Sequence, residues 1–406
     1  MKEQNSQSLN SKAIGRFKRN KTAIFGLVIL AISLFIALFA YIIAPDNTSN
    51  ANNQIVQIKT SPPNFEVLIL RDVKDEAPVS NNWLSIFWKG KSSPYIDIPI
   101  VDYKIVGQKI IYREYRGEGN EPLEKSKEII DIIKPYNLSN RKVEMIQDQL
   151  VYQNFEGVKS ILSLKEATQL IEKSVVKRRF LLGTDSNGRD VLSRLIIGSR
   201  VSFSVGLISV IISLLIGVVL GALSGYYRGG VDNFIMWLIN VFWAIPTILL
   251  AMGLMISIDA QSSTRILMVY IAVGLTMWVD TARLIRGQFL SLREMEFVEA
   301  TKALGYSNRR IIFKHILPNC IGPLIVITAS NFAAAILIES GLSYIGLGVQ
   351  PPQPSWGSML KEYFGYIGTS KSYLALFPGF AIMVLVFAFN LIGNGLRDAF
   401  DVKSKE

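Results

Sequence analysis

Few ionisable residues interrupt the long apolar runs of this chain, and those few are where chemistry would be sought. Glu339 follows "FAAAIL", and Asp280 stands three residues before Arg283 and six before Arg286. An ionisable group at bilayer depth is costly and normally faces protein or water. For Glu339 the choice is between a structural hydrogen bond at the outer end of a span and a contact with a transported solute. For Asp280 it is local neutralisation by the two arginines. One cysteine, Cys320, and one histidine, His315, exclude a disulfide framework and a Cys/His zinc cage within the chain, so no metal site is expected. "GEGNEP" and "GLGVQP" contain glycine but lack the G-x-x-x-x-G-K-[ST] spacing that cradles phosphates. Carboxylates such as Asp185 and Asp190 form no spacing that defines a catalytic pair, and no catalytic residue is assigned.

The elements that hold these groups are membrane spans. Half of the 406 residues are hydrophobic, concentrated in runs at about 22–43, 201–226, 233–257, 265–286, 318–345 and 373–396. The first run would extend roughly 33 Å as a helix, enough to cross the hydrocarbon core. It is too long for the apolar core of a signal peptide and lacks a small-residue cleavage site, so it reads as an uncleaved anchor. The expected fold is therefore all-α and polytopic, with six transmembrane helices. Lys12, Arg16, Lys18, Arg19 and Lys21 precede the first span, Arg228 follows the second, and seven basic residues follow the fourth. All fall on one side if both termini are cytoplasmic. The same loops account for much of the net charge of +11, which therefore implies no nucleic-acid partner. Gly217 and Gly221 form a small-xxx-small face for helix packing, and Pro246 in "WAIPTILL" predicts a kink in the third span, fit for a gate or simply for the bundle.

Residues 44–180 are polar and predict an extracytoplasmic α+β insert between the first two helices. "FEVLILR", "LSIFW" and "DYKIVGQKIIYREY" read as strands, and "EKSKEIIDIIKPY" and "SLKEATQLIEKSVVKRR" as helices. "PDNTSNANNQ" reads as a flexible lead-in. Asp190 is a natural N-cap for a short helix carrying Val191, Leu192, Leu195 and Ile196 along the membrane surface. Three regions result: 1–43, basic leader and first span; 44–180, the insert; and 181–406, a core of five spans.

Between the fourth and fifth spans, a polar and basic loop at 290–317 contains "EATKALGYSNRRIIFKHILPN". Ser291 and Glu294 have capping-box spacing, and Gly305 stands where a helix would end in a left-handed turn. The helix between them would be roughly 20 Å long, too short and too charged to span. Ser307 would cap a second helix carrying Ile311, Ile312 and Ile316, ending near Pro318. Taken alone, the pair admits a connector, a basic patch on anionic lipid, or a docking element.

"EATKALG" followed by "HILPN" resembles the EAA loop of ABC-importer permeases. "LGTDSNGRDVLSRLI", "ESGLSYIGLGVQPPQPSWGSML" and "FNLIGNGLRDAFD" resemble the peptide and nickel branch, and in order and spacing look like its C-type dipeptide/oligopeptide permease subunit. The likeness is dense over 181–401 and looser over the first span. Asn240, Pro246 and Glu339 are candidates for a translocation path or gate, and the likeness implies an ATPase-docking helix carrying Glu299, Ala300, Thr301, Ala303, Leu304 and Gly305. It also implies a B-type permease, one or two ABC ATPase subunits that hold ATP and magnesium in place of this chain, an extracytoplasmic solute-binding protein, and residence among the lipids of a bacterial inner membrane. Thr301 replaces the second alanine of the Glu-Ala-Ala core, Asn240 and Asn394 stand where relatives carry aspartate, and the outer insert is much longer than usual. The rival from another class is a membrane-anchored sensor or enzyme acting through 44–200.

Overall fold

The computed structural model describes residues 9–74, 82–133, 143–146, 149–153, 158–257 and 264–400. Helices α1 (Leu9–Arg19), α2 (Lys21–Leu38) and α3 (Ala40–Ile43) lead to β1 (Phe65–Val73), α4 (Trp83–Lys89), β2 (Tyr95–Val106), β3 (Lys109–Glu114) and β4 (Leu123–Glu128). After α5 (Ile129–Ile133) come β5 (Glu144–Ile146), β6 (Gln149–Gln153), β7 (Lys159–Ser163), α6 (Leu164–Ser174) and β8 (Val175–Phe180). Then follow α7 (Val191–Tyr227), α8 (Gly229–Trp243), α9 (Thr247–Ser257), α10 (Arg265–Thr276), α11 (Trp278–Leu292), α12 (Glu296–Ala303), α13 (Asn308–Arg310), α14 (Ile321–Ile345), α15 (Trp356–Tyr363) and α16 (Tyr373–Phe400). They form two compact units, one of residues 1–38, 198–367 and 375–406, the other of 39–197 with 368–374.

The first unit is helical and polytopic. Among the described residues five helical stretches are long and apolar enough to cross a membrane, or up to six if α8 and α9 are one span. Those two are bent by 88° at a break that contains Pro246. The third expected span is thus a broken pair, a much sharper feature than a proline kink. Small residues set the helix spacing. A Cβ on Gly217, Gly221 or Gly225 would come within 2.5–2.6 Å of Thr281, Ala282 or Phe289, so α7 lies directly against α11. Likewise Gly26 faces the Ala388 carbonyl of α16, and Gly395 faces Ala23.

The second unit contains a five-stranded antiparallel sheet in the order β4-β3-β2-β1-β8 and a three-stranded sheet, β5-β6-β7. Its core joins Leu70, Ile100, Ile110 and Tyr112 of the larger sheet to Ile129 and Ile132 of α5, Leu150 of β6 and Ile171 of α6. A capping box between Ser163 and Glu166 starts α6.

Several expectations need correction. "LSIFW" lies in α4, not a strand: it lacks alternation, and Gly90 closes the helix with φ 81°. "SLKEATQLIEKSVVKRR" is helical only to Ser174, because β-branched Val175 and Val176 open a strand that pairs with Phe65–Leu70. Glu124–Glu128 of "EKSKEIIDIIKPY" pair with β3, leaving a helix over Ile129–Ile133; residues 134–136 lie outside the described residues. "PDNTSNANNQ" is tied down: the buried Asp46 carboxylate accepts bonds from the Thr48 and Asn53 amides, and the Asp46 amide donates to Ser193 Oγ at 2.8 Å. The short helix expected after Asp190 is the beginning of α7, which runs unbroken for 37 residues, about 55 Å. Asp190 does cap it, accepting from the Ser193 amide at 3.0 Å.

Candidate functional site

The loop between α11 and α14 forms a short helix held on one face and bare on the other. Ser291 and Glu294 do not start it. Helix α11 runs through Ser291 to Leu292, and α12 begins at Glu296 after an extended Met295 without a side-chain cap. Its eight residues, about 12 Å, are shorter than expected. Val298 and Thr301, three apart on one face, are both buried, and Val298 packs with Tyr226, Phe289, Ile311, Ile312 and Ile316.

The end of α12 is a complete Schellman turn. Gly305 N–H donates to the Lys302 carbonyl at 2.9 Å and Tyr306 N–H to the Thr301 carbonyl at 3.1 Å, with Gly305 at φ +77°. Beyond it the helical path restarts at Asn308 and does not stop at Pro318. It passes through a π turn, Ile311–Ile316, and a 3₁₀ turn, Leu317–Cys320, into α14. Proline sits near the start of the 3₁₀ turn, where its missing N–H is tolerated. Ser307 is extended but makes no capping hydrogen bond.

Glu299, Ala300, Ala303, Leu304 and Gly305 are therefore exposed, while Thr301 points inward and its hydroxyl donates to the Val298 carbonyl at 2.7 Å. Leu304 is 70% exposed, and Met295, Phe297 and Phe313 extend the apolar surface around it. Those three were missed because no periodic pattern distinguishes them from lipid-facing residues. Polar links fix the segment to the helix ends: Arg228 pairs with Glu294 at 2.5 Å, Arg293 donates to the Tyr226 carbonyl, and Tyr226 Oη donates to Asn308 at 2.7 Å. A push on the bare face would pass through these contacts to α7, α11 and α14.

The other three candidates occupy separate settings. Asn240 is exposed on α8 and accepts from Arg283 at 3.1 Å, while the same guanidinium lies 3.8 Å over the Trp243 ring. Pro246 is exposed in the α8–α9 break. Glu339 is fully buried in α14. Ser343 Oγ donates to it at 2.7 Å and Ser340 at 3.5 Å, and the buried Ser355 hydroxyl bonds the same carboxyl group. Ser343 Oγ also accepts from the Val349 amide at 3.1 Å. Glu339 thus staples α14 to the "GLGVQPPQPS" turn.

Asp280 is the opposite case, and its expected neutralisation is not what the structure holds. Arg286 instead makes a two-bond pair with Asp232 at 2.6 and 2.7 Å, and Arg283 turns to Asn240. Among the described residues Asp280 has no hydrogen-bond or ion-pair partner, and it lines a cavity of about 830 Å³. It lies in the first turn of α11, where the helix dipole favours a carboxylate, about 18 Å of helix before Leu292. An ionised acid at that depth costs about 2.5–3.5 kcal/mol unless water or a partner reaches it.

The GTD motif at 183–190 belongs to the second unit and is built as a knot. Buried Asp185 accepts from the Asn187 and Arg189 amides, each at 2.9 Å, and pairs with the Arg189 guanidinium at 2.7 Å. Its carbonyl accepts from the Thr60 amide at 2.8 Å. Gly188 is required here, since at φ +74° a Cβ would lie 1.8 Å from the Ile55 carbonyl oxygen.

Residues 217–405 match the family described as binding-protein-dependent transport system inner membrane component, and residues 8–63 match the N-terminal TM domain of oligopeptide transport permease C. The chain is 40% identical over 224 residues to the glutathione transport system permease protein of Pectobacterium atrosepticum, covering 55% of this chain and 73% of that one. It is 43% identical over 223 residues to the dipeptide transport system permease protein of Alkalihalophilus pseudofirmus, covering 55% and 72%. Against the oligopeptide transport system permease protein of Haemophilus influenzae, identity is 40% over 223 residues, covering 55% and 70%.

Proposed function

This chain belongs to the family of binding-protein-dependent transport system inner membrane components, and we propose that it forms half of the translocation path of an ATP-driven peptide importer working by alternating access. It is a multi-pass inner-membrane permease subunit and not an enzyme. The observation that carries the mechanism is α12: an exposed face bearing Phe297 and Leu304 on a helix whose other face buries Thr301 and packs through Val298 against α7, α11 and the π turn. A partner ATPase seated on Glu299, Ala300, Ala303 and Leu304 would drive the spans as a unit. Thr301 supports that surface from behind, and Gly305 ends it. ATP and magnesium belong to the ATPase, and a B-type permease supplies the other half of the path.

Positive charge in the leader and around α12 supports a cytoplasmic N-terminus, with six crossings if α8 and α9 together span once. In that orientation the sheet-containing unit is extracytoplasmic and helps to seat the solute-binding protein or the B-type permease. Asn240, exposed on α8, and Pro246, in the break, contribute to a gate in this reading, and Glu339 serves the path by holding α14 to its turn. Peptide as the cargo rests on the kinship with dipeptide, oligopeptide and glutathione permeases. The test is uptake into proteoliposomes holding this chain, the B-type permease, the ATPases and the binding protein. Accumulation of labelled peptide should require ATP, and accumulation that persists without ATP would refute the importer.

A further inference from the structure

The cavity at Asp280 carries charge of both signs within an otherwise apolar and amide-lined wall. Arg397, near the end of α16, and Arg16, on α1, line it together with Asp280, Ser330, Asn331 and Phe400. The neighbouring residues separate inward-facing from cavity-facing groups. Thr281 is buried and accepts from the Asn331 amide at 3.2 Å, whereas Asp280 is exposed to the cavity. Glu339, by contrast, is satisfied by serines in its own knot. A carboxylate held within a span without a protein partner must meet water or a ligand.

We propose that this cavity is a binding station on the solute path for a zwitterionic, peptide-like molecule, with Asp280 taking the ammonium group and Arg397 the carboxylate. The inference rests on the importer reading and extends it by naming the path residues and the charge pattern they select. The two charges explain why the site suits a molecule carrying both signs: a purely anionic ligand would be repelled by Asp280, and a purely cationic one by Arg397. The polar groups of Ser330 and Asn331 lie where a peptide backbone would need partners, and the apolar wall tolerates varied side chains.

The test uses the assembled transporter in proteoliposomes, with Cys320→Ser removing the single cysteine and Ile327→Cys introducing a probe in the apolar wall of the cavity, so that Asp280 and Arg397 stay intact. An impermeant cationic methanethiosulfonate applied on the α12 side should modify Ile327→Cys. Millimolar tri-alanine at about twice its dissociation constant should slow that modification about threefold, and N-acetyl-tri-alanine amide, which lacks both charges, should not. Failure to modify from that side would overturn the proposal. So would equal slowing by the blocked peptide, or slowing produced by phosphatidylethanolamine in the vesicles instead of by peptide. Asp280→Asn should lower tri-alanine uptake about tenfold, as expected for a lost charge-assisted contact, and Asp280→Glu should restore most of it. Wild-type uptake with an indifferent Asp280→Asn variant would sink this inference alone; absence of ATP-driven uptake in the wild type would sink the importer reading itself.

Discussion

Glu339 and Asp280 are both acids in apolar helices, and they stand in opposite conditions. Glu339 is completely enclosed and is bonded by serines from its own helix and from the turn that follows. Asp280 faces a cavity without a protein partner among the described residues. The difference teaches that depth in the membrane does not assign a role. The partners do: one acid closes a structure, and the other is left available to a ligand.

The largest expected effect comes from breaking this comparison directly. Glu339→Ala leaves buried serine hydroxyls without their carboxylate partner and should cost about 3 kcal/mol, seen as loss of assembled transporter and a lower unfolding temperature in detergent. Asp280→Ala should change that temperature little, because it removes no contact. Equal destabilisation by the two substitutions would erase the distinction.

Two glycines sharpen the contrast on the side of structure. Gly188 and Gly305 both have positive φ, but a Cβ on Gly188 collides with the Ile55 carbonyl, while one on Gly305 meets open space. Gly188→Ala should therefore destabilise the sheet-containing unit by about 2–4 kcal/mol, combining collision with backbone strain, measurable as faster proteolysis of that unit. Gly305→Ala should cost only about 1 kcal/mol, the left-handed conformation alone. If the order reverses, the Schellman turn carries more than local strain.

These contrasts also separate what the sequence could convey from what it could not. The end of α12 was legible because a Schellman turn is local, and Gly305 specifies it within a few residues. Its beginning was not, since α11 continues through Ser291 on packing supplied by α7. Val175–Arg179 was missed because the partner that makes it a strand, Phe65–Leu70, is distant in sequence. Pro246 announced a break but not an 88° turn. Asp280 looked neutralised because Arg283 and Arg286 are near in sequence, yet each bonds a residue of α8. Short-range geometry was readable; the choice among possible partners was made by tertiary packing.

A smaller effect is expected from acid. Burial pushes Glu114 upward, but hydrogen bonds from Lys125 and Gln57 and the charge of Lys125 outweigh it, so its carboxyl lies below the usual range. A depressed folded-state pKa means that this contribution is present above the unfolded pKa and is lost as pH falls through the folded one. Glu114→Gln should flatten the acid limb of the sheet-containing unit's unfolding curve, followed by tryptophan fluorescence. An unchanged limb would mean that the Lys125 pair contributes nothing.

The most direct test of the central claim is the bare face of α12. Leu304 supports no core, being 70% exposed at the helix end, so Leu304→Arg should leave the permease folded and in the membrane. Copurification of the ATPase with the tagged permease should then be lost, along with ATP-driven peptide uptake. An ATPase that still copurifies with Leu304→Arg, together with normal uptake, would contradict the assignment of α12 as the coupling surface.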